Sequence, residues 1–181
     1  MVIYLVGVHH SIQHNGGDLR LIPGLSALRD QFRYYLINAT KEFGISVLAE
    51  ESNEDVLRMF NASESLARSV AGKFGISHAF CEPSLQMRAS LGFTKHLRGK
   101  HHFFRELLWY DKIINYKGQR IIFICGANHV PTFAELIQKK GQRAVVLTSY
   151  YGRNFFEVFS PHQFCRSLCP RAEKCPREVS R

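Results

Sequence analysis

Two histidines and several glutamates stand where apolar runs give way to polar residues. Such groups can hold a metal ion or move a proton. His10 closes the run Gly7-Val-His9-His10, and His129 closes Gly126-Ala-Asn-His129. Glu50-Glu51 follows Ile45-Ser-Val-Leu-Ala49, and Glu82 follows His78-Ala-Phe-Cys81. Neutral imidazoles and carboxylates are ligands for divalent ions of the Zn or Mn type. A bound ion of that kind lowers the pKa of its water and supplies a nucleophile at neutral pH. Without metal, a His–Glu pair activates water as a general base. The expected metal ligands are His10, Glu50 and His129, and the catalytic set adds Glu51, Glu82 and Arg105. Arg88 and Arg105 each carry a guanidinium able to clamp a carboxylate or phosphate, or to stabilise an oxyanion. A helix-surface salt bridge is the plain alternative for either. Ser11 and Ser84 lie nearby without a nucleophile-elbow motif, and Cys125 reads as core.

These groups must be brought together by the elements that precede them. Val2–Val8, residues 45–49, 78–81, 120–125 and 144–148 are short apolar, strand-like runs. Between them, Leu25, Leu28, Phe32, Leu36, Ala39 and Phe43 recur at helical steps, as do Leu57, Phe60, Ala67, Val70 and Phe74. Further helices are expected over residues 101–116 and around Phe133–Ile137, while residues 84–100 are ambiguous. Alternation of strand and helix predicts an α/β fold with a mainly parallel sheet of about five strands and helices on both faces. In such sheets ligands bind beyond the carboxyl ends of the strands. His10, Glu50, Glu51, Glu82 and His129 are therefore expected on one edge. The Gly-x-x-His pattern is weak by itself, since it also occurs at Gly75/His78 and Gly99/His102. Only the first and last instances directly follow a strand-like run, where glycine lets the chain turn tightly.

The chain has 181 residues, and 45% of them are hydrophobic, which suffices for one core without disulfides. We expect one α/β domain over 1–159 and a basic appendage over 160–181. No run is long and apolar enough for a membrane helix, and the N-terminus lacks a basic leader segment, so a cytoplasmic location is expected. Lys and Arg total 24 against 15 acidic residues, a formal charge of +9. That charge suggests an anionic substrate or partner, nucleic acid included, unless the excess simply solvates a basic tail. A homodimer is compatible with the many aromatics. In the appendage, His162, Cys165, Cys169 and Cys175 could hold a second, structural metal, although the spacing departs from Cys-x2-Cys. A disordered basic tail, or one docking on a partner, is the other expectation.

Gly7–His10, Gly126–His129 and the acidic pair Glu50-Glu51, with Arg105-Glu106-Leu-Leu-Trp109 shortly before the second motif, resemble the Tiki/TraB/erythromycin-esterase superfamily, which includes ChaN-like proteins. The resemblance spans roughly residues 2–150. It implies a hydrolase, often metal-dependent, acting on a peptide or ester bond. The chain departs from larger members in lacking an extended helical insert, which implies a small or shared pocket. Two other readings remain open on the residues alone: a nucleic-acid-associated protein or nuclease, and a non-catalytic interaction module on the same fold.

Overall fold

The computed structural model describes residues 1–14, 23–93 and 98–154. Five strands, β1 (Val2–Val8), β2 (Val47–Glu50), β3 (Ser77–Phe80), β4 (Arg120–Gly126) and β5 (Arg143–Tyr151), form one sheet in the order β3-β2-β4-β1-β5. Every pairing is parallel. Among the described residues seven α-helices connect or follow them: α1 (His10–Gln13), α2 (Leu25–Glu42), α3 (Glu54–Met59), α4 (Leu66–Phe74), α5 (Leu85–Ser90), α6 (Arg98–Ile113) and α7 (Val130–Lys139). The α/β architecture is thus as the alternation of elements predicts.

Side chains alternate across each strand, and the alternation builds two cores. On one face Val6, Val8, Leu48, Ile122 and Ile124 pack beneath α2 and α4. On the other, Ile3, Leu5, Val47, Ala49, Ile121, Phe123 and Cys125 pack beneath α6 and α7. The chain runs from β1 to β3 over the first face and returns through β4 to β5 over the second. Central neighbours β1 and β4 therefore send their connections in opposite directions. Such a reversal opens a crevice at the carboxyl ends of the strands, where open α/β sheets bind ligands.

Some boundaries differ from expectation. The helical pattern over residues 57–74 is two helices rather than one. Asn61 has a positive φ of 49°, and Ser65 caps a fresh start by accepting the Arg68 N–H at 3.1 Å. β2 begins at Val47 rather than Ile45, because the Ile45 N–H still bonds to Thr40 O at the end of α2. The ambiguous stretch after Glu82 contains α5, which has no buried residue. Cys81 and Cys125 are free and buried, as core thiols should be. No helix among the described residues is long and apolar enough to cross a membrane. The proposed appendage, with His162, Cys165, Cys169 and Cys175, lies outside the described residues.

Candidate active site

The carboxyl ends of β1, β2 and β4 bring His10, Glu51 and His129 together, and α6 leans Arg105 over them. Glu51 lies one residue past β2, where its N–H still bonds to Ile124 O of β4 at 2.8 Å. Its Oε2 accepts the Gly126 N–H at 2.7 Å. Its Oε1 accepts Arg105 Nη2 and faces His129 Nε2 at 3.7 Å and His10 Nε2 at 3.9 Å. Burial alone would push the Glu51 carboxyl up. The charges of His10, Arg105 and His129 and the Gly126 N–H outweigh that and hold it below the ordinary carboxylate value.

The two motif glycines are needed for close approach. A Cβ on Gly7 would stand 2.1 Å from the backbone O of Ser149 on β5. A Cβ on Gly126 would stand 2.8 Å from His10 Nε2 and 3.4 Å from Glu51 Oε2. Any side chain at either position intrudes on the strand edge that forms the site.

Each histidine is fixed through its other nitrogen. His129 Nδ1 pairs with Glu106 Oε1 at 2.7 Å, and Thr132 Oγ1 donates to the same oxygen at 2.7 Å. Arg105 Nη1 donates toward His129 Nε2 at 3.4 Å. A carboxylate at Nδ1 and a guanidinium at Nε2 select the tautomer with the proton on Nδ1 and the lone pair on Nε2. His10 is held the same way, its Nδ1 donating to Gln13 Oε1 at 2.8 Å. The two lone pairs therefore turn toward Glu51. His129 is buried, whereas the His10 side chain is 53% exposed.

Glu82 is present too, but behind the reactive edge. It accepts Arg105 Nε at 3.0 Å, Trp109 Nε1 at 3.0 Å and Arg88 Nη2. Those bonds make it the anchor of Arg105 rather than a group facing substrate. Trp109, wholly buried against Phe123 and Phe133, is part of the core.

Glu50 does not join the set. As the last residue of β2 it shares a face with Leu48, and Glu51 takes the opposite face. Glu50 Oε1 accepts Ser65 Oγ and pairs with His78 Nε2 at 2.8 Å. The expected metal group of His10, Glu50 and His129 is thus not assembled, because the pleat sends Glu50 to the other side of the sheet. Among the described residues, no group of three His, Cys, Asp or Glu side chains is placed to hold a metal ion as it stands. Between Glu51 and Glu82, the Arg105 guanidinium is the positive charge.

A pocket of about 750 Å³ opens over this floor. Its far wall is Leu85, Ala89 and Phe93 from α5 and the turn after it, with the Phe93 ring stacked on His101 at 4.5 Å. His102 lies against the His129 ring at 4.4 Å. Glu106, Thr132 and Gln13 are site residues that the motifs alone did not single out. A usable signal was present on α6, where His102, Arg105, Glu106 and Trp109 fall at i, i+3, i+4 and i+7 and so share one face. Among the described residues no thiol competes as nucleophile, since burial pushes Cys81 up to about 12 and Cys125 well above its ordinary value. No protein-family model, curated protein or solved structure matches the chain.

Proposed function

We propose that the chain is a small hydrolase of the Tiki/TraB type that cleaves an ester, peptide or related acyl bond with an activated water. The carrying observation is the pair of histidines whose Nε2 lone pairs face Glu51 while their Nδ1 atoms are held by Glu106 and Gln13. That arrangement suits proton abstraction from a water above Glu51. His129 acts as general base, and Glu106 stabilises the imidazolium that results. His10, at the solvent side, passes the proton on. Arg105 stabilises negative charge developing on the carbonyl oxygen, and its links to Glu82 and Glu51 fix it before substrate arrives. Glu51 holds the floor by binding Gly126 N–H and Arg105 at once.

A metal-assisted version of the same reaction is favoured by one further observation. Both Nε2 atoms, His129's also approached by Arg105 Nη1, lie near a single carboxylate oxygen of Glu51, which gives the nitrogen and oxygen donor types that Zn or Mn prefers. An ion there would supply an acidified water. Arg105 would first have to release Glu51 Oε1, so metal and guanidinium compete for one oxygen.

The test is hydrolysis of a panel of p-nitrophenyl esters and peptide amides, with elemental analysis of the same protein. Wild type is expected to cleave at least one panel member, and His129→Ala to lower kcat/KM by about a hundredfold or more. Cleavage that His129→Ala leaves intact would remove the proposal. Stoichiometric metal lost in His10→Ala would favour the metal-assisted version, and metal-free active protein the direct one.

A further inference from the structure

We propose that the pocket takes an anionic substrate, with Arg88 gripping its carboxylate or phosphate as a specificity residue; the inference rests on the hydrolytic reading above. Arg88 and Arg105 both line the pocket, but their bonding differs. Arg105 is bonded within the protein at each nitrogen, with only its second Nη1 N–H left over for a reacting oxygen: Nε and Nη2 bind Glu82, Nη2 also binds Glu51, and Nη1 reaches His129. Among the described residues Arg88 has one acceptor, Glu82 through Nη2, and its Nε is buried with none. A guanidinium anchored at one corner and unsatisfied elsewhere is pre-oriented for a bidentate oxyanion.

The charge around the pocket points the same way. Five imidazoles and two guanidiniums line it against a single carboxylate, Glu51, which Arg105 already neutralises. Glu82 serves Arg88 and Arg105 together, so with Glu51 two carboxylates balance the two guanidiniums, and Arg88 has only a share of one of them. Two of the imidazoles, His9 and His102, do not supply a competing fixed charge. Burial and the neighbouring His10 hold His9 down at about 4, and burial with His129 and Arg105 lowers His102, so both are neutral donors or acceptors near pH 7. Arg88 is thus the fixed charge with donors to spare. Beside it, Leu85, Ala89 and the stacked Phe93–His101 pair form an apolar, partly aromatic wall. The pocket therefore suits an anion attached to a flat apolar group.

Titration calorimetry with phenyl phosphate, benzoate and benzyl alcohol tests this directly. All three carry the ring, two carry the charge, and the two anions separate phosphate from carboxylate recognition. At least one anion should bind about tenfold more tightly than benzyl alcohol. Arg88→Gln should weaken that anion by about tenfold or more and leave benzyl alcohol unchanged. Arg88→Lys should recover part of the loss, since it keeps the charge without the fork. Equal binding of benzyl alcohol and both anions overturns the proposal, as does anion affinity that Arg88→Gln leaves intact. Should Arg88→Gln fail to fold, the three-ligand comparison on wild type still decides. Binding needs no turnover. Anion-selective binding by a protein that hydrolyses nothing would sink the hydrolase reading alone, and hydrolysis without anion preference would sink this inference alone.

Discussion

At His129 the surroundings hold the ring on every side. Glu106 and Thr132 hold the ring, Arg105 approaches Nε2, and the side chain is buried. Replacing Glu106 with Gln keeps the shape but removes the charge that stabilises an imidazolium. We expect kcat to fall roughly ten- to a hundredfold with KM little changed, measurable by steady-state kinetics on any substrate that the ester and peptide panel yields. At Gly126 a methyl group would stand 2.8 Å from His10 Nε2. Gly126→Ala should therefore lose activity through displacement of His10 while the far-UV spectrum stays wild type. The residue types that build the site and the strand edge they share were legible in the sequence, but which glutamate of the Glu50–Glu51 pair faces it was not. A two-residue acidic pair can send only one member to each face, and deciding which required the register of β2 against β4. Glu106 was legible in principle from its helical spacing to His102. Its partner Thr132 was not, because it comes from another helix.

The elements set the site through their ends rather than their middles. β2 stops at Glu50, so Glu51 falls on the face of α6 and Glu50 on that of α4. Ser65 caps α4, bonds Glu50, and bridges backbone to backbone with His14. Ser65→Ala removes the cap and an acceptor's partner together, so a loss of about 1–3 kcal/mol is expected from chemical denaturation. His14, stacked on Phe60 at 5.3 Å, is buried, and burial together with His10 and Arg29 holds it down at about 4. The unfolded chain takes up that proton near 6.5, so the native state is favoured above 6.5 and loses this contribution as pH falls from 6.5 to about 4. His14→Phe keeps the stack without the titration. It should flatten the stability profile over that interval by on the order of 3 kcal/mol, read by denaturation at stepped pH. The helical and strand periods announced most elements. The break between α3 and α4 escaped because the apolar spacing continues across it, and the positive φ of Asn61 has no signature in the pattern.

Across the whole molecule, the sheet separates two polar clusters of similar composition. One face carries Glu50, Ser65 and His78, and the other carries Glu51, Arg105, His129 and Glu106. Only the second opens into the pocket at the reversal between β1 and β4. Glu51 is held below its ordinary value, so the charge pairing at the site contributes stability above pH about 4.5 and is lost as pH falls through its folded value. Activity and stability should therefore fail together on the acid side, checked by parallel rate and unfolding profiles. Sheet order could not be read from the chain, since crossovers leave no local mark, and it is the order that places the reversal between the two Gly-x-x-His motifs. The most direct measurement is hydrolysis by Glu51→Gln and Glu50→Gln beside wild type. The account predicts a loss of about a hundredfold or more in Glu51→Gln. For Glu50→Gln it predicts activity within about threefold of wild type, with lowered thermal stability. Activity that survives in Glu51→Gln, or disappears in folded Glu50→Gln, would contradict it.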